Sequence, residues 1–177
     1  MRVIAGSLKG RRLAVPTWQG LRPTSDKLRE TLFNILAARV VGARVLDGYA
    51  GTGALGIEAL SRGAAHVTFV ERDRRAAALI DQNLARCGVR DGYAIIRADI
   101  GAVRGRLPAR SFDVILLDPP YDQPPASALT LVRALVADEG LLVIEHAKRT
   151  PAPPDVDALR RVREVVSGDS MLSFYRV

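Results

Sequence analysis

The chain carries one cysteine and two histidines, and nowhere does an apolar run approach the about 20 residues needed to cross a bilayer. One thiol, Cys87, excludes an internal disulfide and suits a reducing compartment. His66 and His146 belong to no cluster of ligating residues, so no metal site is expected. The N-terminus lacks the apolar core of a signal peptide, and a cytoplasmic protein without a membrane segment is expected. Acids are scarce at one end: residues 1–42 hold eight Lys/Arg but only two Asp/Glu. The remainder is nearly balanced, with eighteen against seventeen.

A basic arm beside a near-neutral domain is the footprint of a partner with a phosphate backbone; a merely solvated surface would spread its charge. At 177 residues the chain suits one globular unit that buries about 70% of its unfolded surface. We expect a basic extension, residues 1–24, ahead of a single folded unit, residues 25–177. Lys9-Gly10-Arg11 has the composition of a turn between two short strands, which suggests a β-hairpin, and Arg11 and Arg12 become candidate phosphate contacts. Trp18 suits either base stacking or packing. Leu28, Leu32, Ile35 and Leu36 recur at helical spacing behind Thr24 or Ser25, either of which can cap the helix. Beyond capping, Arg22 and Thr24 are candidates to close over a cofactor or a target nucleotide.

From residue 44 the pattern alternates. Strands are expected at Arg44–Asp47, His66–Glu71, Tyr93–Arg97, Phe112–Leu117 and Gly140–Glu145, with helices at Ala54–Arg62, Asp73–Cys87 and Ser127–Val136. Leu159–Val166 and Met171–Val177 read as a final antiparallel pair joined at Ser167-Gly168-Asp169. Pro151-Ala152-Pro153-Pro154 is too short to separate two domains, and there is no internal repeat. Alternating strands and helices imply a parallel sheet covered on both faces, with ligands at the carboxyl ends of the strands.

The first of those ends is rich in glycine. Gly51-x-Gly53-x-x-Gly56 matches the dinucleotide spacing, which alone is a weak signal because glycines also serve tight turns and close packing. Here Asp47-Gly48-Tyr49-Ala50 separates the strand from the first glycine, and an acid at a strand tip is a poor neighbour for a pyrophosphate. It suits a cationic ligand such as S-adenosylmethionine, whose methionine portion the loop would cradle. Glu71, Asp99 and Asp118 also stand at or just beyond strand ends. Each could merely cap a helix, yet four acids on one rim point to a site. Glu71 lies twenty positions after Gly51, the separation at which an acid receives ribose hydroxyls. Asp99 could hold an adenine amino group, and Asp47 would organise the loop.

Asp118-Pro119-Pro120-Tyr121 is the most specific stretch. Two prolines stiffen the turn and supply no N–H donors, so its carbonyls remain acceptors. A carboxylate, a carbonyl and an aromatic ring suit an exocyclic amine on a flat base. Acceptors that favour a pyramidal nitrogen turn its lone pair toward an incoming methyl carbon, and in-line placement supplies much of the rest.

Asp118-Pro119-Pro120-Tyr121, with Asp47-x-x-x-Gly51-x-Gly53, resembles the amino-group subset of class I S-adenosylmethionine-dependent methyltransferases. With Arg22-Pro23-Thr24, Arg29-Glu30-Thr31-Leu32-Phe33-Asn34, Ala50–Gly56 and Glu58-Ala59-Leu60-Ser61-Arg62-Gly63-Ala64, the chain resembles the RsmD family over nearly its full length. Those enzymes methylate guanine N2 in bacterial 16S ribosomal RNA. The resemblance implies a Rossmann-like α/β fold, with a seven-stranded, mostly parallel sheet, helices on both faces and an N-terminal β-hairpin extension. It also implies the small ribosomal subunit as partner. Carried over by motif, Asp47, Gly51, Gly53, Glu71 and Asp99 hold the donor, while Asp118, Pro119 and Tyr121 hold the guanine amine. Family loops often have Phe-Ala-Gly-Ser-Gly where this chain has Tyr49-Ala50-Gly51-Thr52-Gly53, a conservative departure.

Two other readings compete. An amino-methyltransferase acting on DNA would need a recognition module that this length does not leave room for, and another RNA is an alternative target. A non-catalytic Rossmann module would have no use for the intact Asp118–Tyr121 turn. The expected enzyme is a monomer that reads its RNA by shape and takes an unstacked base into its pocket.

Overall fold

The computed structural model describes residues 1–18, 25–120 and 122–177, so Arg22, Thr24 and Tyr121 of the expected site lie outside the described residues. The chain runs α1 (Asp26–Leu36), β1 (Arg44–Asp47), α2 (Ala54–Ser61), β2 (His66–Val70), α3 (Arg74–Cys87), β3 (Tyr93–Ile96) and α4 (Ile100–Val103). It continues through β4 (Phe112–Leu117), α5 (Pro125–Val132), β5 (Val136–Ala147), β6 (Asp155–Val156), β7 (Leu159–Ser167) and β8 (Ser170–Arg176). All the described strands join one sheet in the order β3-β2-β1-β4-β5-β8-β7-β6, with β1 to β5 parallel and the last three antiparallel. The chain order reverses beside β1, so the carboxyl ends of β1 and β4 open a crevice there.

The side-chain period of two divides the core between the faces of the sheet. Val45, Val114, Leu116 and Val143 pack with Leu32 and Phe33 of α1, Ile57 of α2 and Ile80 of α3. Their strand neighbours Leu46, Ile115, Leu117, Leu142 and Ile144 pack with Val103 of α4 and Leu129 and Val132 of α5. Both faces are therefore apolar along β1, β4 and β5, as strands buried on two sides require.

Three expectations shift in detail. The sheet has eight strands in place of seven, because Asp155–Val156 pairs with the start of β7. The helix expected over 127–136 ends early: α5 stops at Val132, a 3₁₀ turn spans Arg133–Leu135, and Val136 already pairs with Phe112. Between that pair and Val114↔Leu141 the strand bulges, which leaves Asp138 and Glu139 in solvent.

The third shift concerns the N-terminal hairpin, which reduces to a single antiparallel bridge, Arg2↔Arg12, closed around a tight turn by Val3 N–H to Arg11 O at 3.0 Å. The residues that would extend the ladder bond elsewhere. The N–H groups of Ile4 and Ala5 donate to the buried Glu58 carboxylate at 2.8 and 3.0 Å, and those of Ser7 and Leu8 donate to Ser61 O and Oγ at 2.7 and 2.9 Å. Arg29, fully buried on α1, donates through Nη2 to Arg2 O and to Asp26 Oδ1. The arm is thus fastened to α1 and α2 by charge-assisted bonds.

Helix α2 lies close on β2 because Gly56 presents no side chain: a Cβ there would fall 2.2 Å from Phe69 Cε1. Alanine is the better helix former by about 1 kcal/mol, but overpacking costs about 1–3 kcal/mol. Gly56→Ala should therefore lower the urea midpoint. An unchanged midpoint would mean that α2 can move off the sheet freely.

Candidate active site

The carboxyl ends of β1, β2, β3 and β4 surround a cleft of about 210 Å³, walled by Gly48 and Tyr49, by Glu71 to Asp73, by Ala98 to Ile100 and by Asp118 and Pro120. Three of the expected acids, Glu71, Asp99 and Asp118, therefore share one cavity.

Asp47 lies behind the cleft wall, 1% exposed at the tip of β1. Its Oδ2 accepts the Gly56 N–H at 2.9 Å, while Oδ1 is buried with no partner. Burial pushes this carboxyl up to about 7, against the Gly56 bond, and the nearby Asp118 and Glu71 charges push the same way. Gly51 and Gly53 adopt positive φ, +53° and +78°, which glycine alone takes without strain. Gly53 caps α2.

Glu71 joins two loops. Its Oε2 accepts the Gly51 N–H at 2.9 Å and its Oε1 the Asp73 N–H at 2.8 Å, so one carboxylate fixes the glycine loop to the turn after β2. Lone pairs remain on both oxygens for ligand hydroxyls. Asp99 caps α4 through Oδ1 and Gly101 N–H at 2.9 Å, and its Oδ2 stands 3.8 Å from Arg72 Nη1. Asp118 is partly exposed in the cleft, Pro119 is buried beneath the turn, and Pro120 meets the cavity in its place. Arg11 and Arg12 are exposed on the arm and do not line the cleft.

Among the described residues, several positions around the cleft and beyond it escape the sequence reading or stay undecided there. The Tyr49 hydroxyl accepts from Gln123 Nε2 at 2.7 Å and is pushed up to about 12 by burial, so it ties the first loop to the Asp118 turn. The only available signal was tyrosine where family loops have phenylalanine. Arg72 and Trp18 line the cleft, and Arg75 lays its guanidinium 4.9 Å from the Trp18 ring centre. Asn83, fully buried on α3, accepts Ala14 N–H and donates to Ala14 O and Thr52 O. His146 is buried and bonds Ser173 Oγ at 2.9 Å and Thr150 O at 3.0 Å, away from the cleft.

The donor set fits a cation that carries hydroxyls: three acids face the cavity, and a buried carboxylate oxygen beside the glycine loop lacks a partner. The solved structure of YhhF from Escherichia coli resembles this chain with a TM-score of 0.86 at 35% identity, covering 99% of this chain and 96% of that one. An S-adenosylmethionine-dependent methyltransferase from Mesorhizobium loti, 14% identical, shares the fold at a TM-score of 0.66, over 83% of this chain and 96% of that one. The fold is that of the Rossmann-like methyltransferase class.

The chain belongs to the RsmD family, whose model, described as conserved hypothetical protein 95, matches residues 1–176. Ribosomal RNA small subunit methyltransferase D of Escherichia coli K12 is 34% identical over 179 residues, covering 99% of this chain and 89% of that protein. YlbH of Bacillus subtilis is 36% identical over 181 residues, covering 99% and 98%.

Asp47 gives a signature in pH. An unfolded aspartate loses its proton near pH 4. The folded one keeps it up to about 7, so the native state binds more protons between those values. Its contribution to stability is therefore lost as pH rises through that window. Midpoints measured from pH 5 to 8 should carry a falling component that Asp47→Asn removes. An identical slope in both proteins would contradict a raised Asp47.

Proposed function

We propose that this chain transfers the methyl group of S-adenosylmethionine to the exocyclic N2 amine of a guanine in 16S ribosomal RNA of the small subunit. The observation that carries the reading is the shared cavity: Asp118 and Pro120 open onto the same space as Glu71 and Asp99. An amine acceptor turn and a donor site are thereby within reach of one ligand pair. The ribosomal RNA for which the Escherichia coli relative is named agrees with the basic arm of this chain.

Bound in the cleft, the cofactor supplies a methyl carbon on a positively charged sulfur that leaves as a neutral thioether. Glu71, already aligned by two backbone bonds, receives the ribose hydroxyls, and Asp99 receives the adenine amine. Asp47 Oδ1 faces the ligand's ammonium end through the glycine loop. On the acceptor side, Asp118 Oδ and a carbonyl of the Pro119-Pro120 turn take the two amine hydrogens, and Tyr121 stacks on the base. Such acceptors align the nitrogen lone pair with the carbon–sulfur axis. As the new carbon–nitrogen bond forms, the amine releases one hydrogen toward Asp118. The Tyr49–Gln123 bond holds the turn at the distance the loops dictate.

Arg11 and Arg12 contact the RNA backbone, and Arg22 and Thr24 close over the cofactor or the target nucleotide. The enzyme acts as a cytoplasmic monomer on a target unstacked from its helix; no described helix is long and apolar enough to cross a membrane.

Asp118→Ala should leave the affinity for S-adenosylhomocysteine within about twofold while kcat on small subunits falls by about 10²-fold or more. Equal loss of both would make Asp118 structural. Replacing Arg11 and Arg12 together by alanine should weaken RNA binding and reduce the salt slope by about 1.4, for two lost phosphate contacts. An unchanged slope would remove the arm from the interface.

A further inference from the structure

The basic arm reaches the donor cleft at Trp18. Trp18, the only tryptophan in the chain, lines the same cavity as Glu71 and Asp99, although it lies more than fifty positions upstream of both. Its ring is held in place by Arg75, whose guanidinium sits 4.9 Å from the ring centre. Arg75 is itself fixed by Asp73, Nη2 to Oδ2 at 3.1 Å, and the Asp73 N–H bonds Glu71. The indole therefore belongs to a chain of contacts that starts at the acid assigned to the ribose.

The backbone leading to it is fixed as well. Asn83 Oδ1 accepts the Ala14 N–H at 2.7 Å, and its Nδ2 donates to Ala14 O at 3.1 Å and to Thr52 O at 2.9 Å. One buried amide thus straps the arm, four residues before Trp18, to the middle of the glycine loop. Apart from Trp18, half of the residues that line the cleft are acids and arginines, and Tyr49 is the one other aromatic ring among them. An indole supplies what a purine ring needs on one side.

We infer that Trp18 is a donor-binding residue, packed against the adenosine portion of S-adenosylmethionine, and that Asn83 positions it. This rests on the assignment of the cleft as the donor site. It makes the arm part of two surfaces at once, RNA on its basic residues and donor on its last ring. Any change in RNA affinity that the donor causes must then be matched by an equal change in donor affinity that RNA causes.

Because Trp18 is the sole indole, its emission reports the contact directly. Titration with S-adenosylhomocysteine should change that emission saturably, with the midpoint found by calorimetry. Trp18→Ala should bind the same ligand about five- to tenfold more weakly, at an unchanged melting temperature for the free protein. Trp18→Phe should recover affinity to within about twofold. Glu71→Ala serves as the control on the cleft itself. If Glu71→Ala abolishes binding while Trp18→Ala binds like wild type and the emission stays silent, the inference fails and the cleft assignment stands. If Glu71→Ala also binds normally, the cleft assignment fails and Trp18 falls with it. A Trp18→Ala protein that melts lower yet binds normally makes the indole a packing residue and overturns the proposal.

Discussion

The Glu71 carboxylate accepts backbone N–H groups from two loops at once, Gly51 on one side and Asp73 on the other. These loops follow the paired strands β1 and β2, whose ends the Ala50 N–H to Val70 O bond at 3.0 Å already joins, and Glu71 adds two bonds beyond it. With Glu71 in place, the glycine loop, the turn after β2 and the start of α3 form one rigid wall. The Tyr49–Gln123 bond extends that wall to the Asp118 turn. The cost is electrostatic: burial first, and then the Asp118 and Glu71 charges, raise the Asp47 carboxyl, so the cleft concentrates negative charge that suits a cationic ligand.

Helix α2 connects this wall with the arm. Its first residues follow the glycine loop, with Gly53 as cap and Gly56 N–H bonded to Asp47. Its last turn carries Glu58 and Ser61, which hold the N-terminal residues from Ile4 to Leu8. Eight residues span only about 12 Å, so donor loop and arm anchor sit on opposite ends of a short rod. Arg62, bonded to Glu58 at 2.8 Å, also lies 5.2 Å from the centre of the Phe33 ring and joins α1 to the same anchor. Arg29 adds to this buried network although its Nε and Nη1 have no partner, an expense justified only if the arm must be held in one place.

The strands and the rim were legible because hydrophobic period and strand-end acids are local signals. β1 and β4 have the bounds that the sequence pattern gives, Arg44–Asp47 and Phe112–Leu117. The acids of the cleft were legible for the same reason, since Glu71 and Asp118 follow their strands directly and Asp99 stands three residues beyond β3. What stayed hidden depends on contacts across the fold. The motif Glu58–Ala64 was recognisable as a family signature, but its use, anchoring an arm fifty positions away, is written in no neighbouring residue. Asn83 looks like any polar residue on an amphipathic helix until Ala14 and Thr52 arrive beside it. The hairpin was overestimated because Lys9-Gly10-Arg11 suggests a ladder, whereas the flanking N–H groups found better acceptors on α2. The end of α5 was misjudged because Val136 suits helix and strand equally, and pairing with Phe112 decided it.

The account depends on an acceptor turn shaped for an amine nitrogen. Small subunits from cells lacking this enzyme, incubated with it and with donor labelled at the methyl group, provide the direct test. Digestion and mass spectrometry of the 16S ribosomal RNA should place the label on the N2 amine of one guanine. Label on a ring carbon, a ring nitrogen or a ribose oxygen, or no label in that RNA, would contradict it.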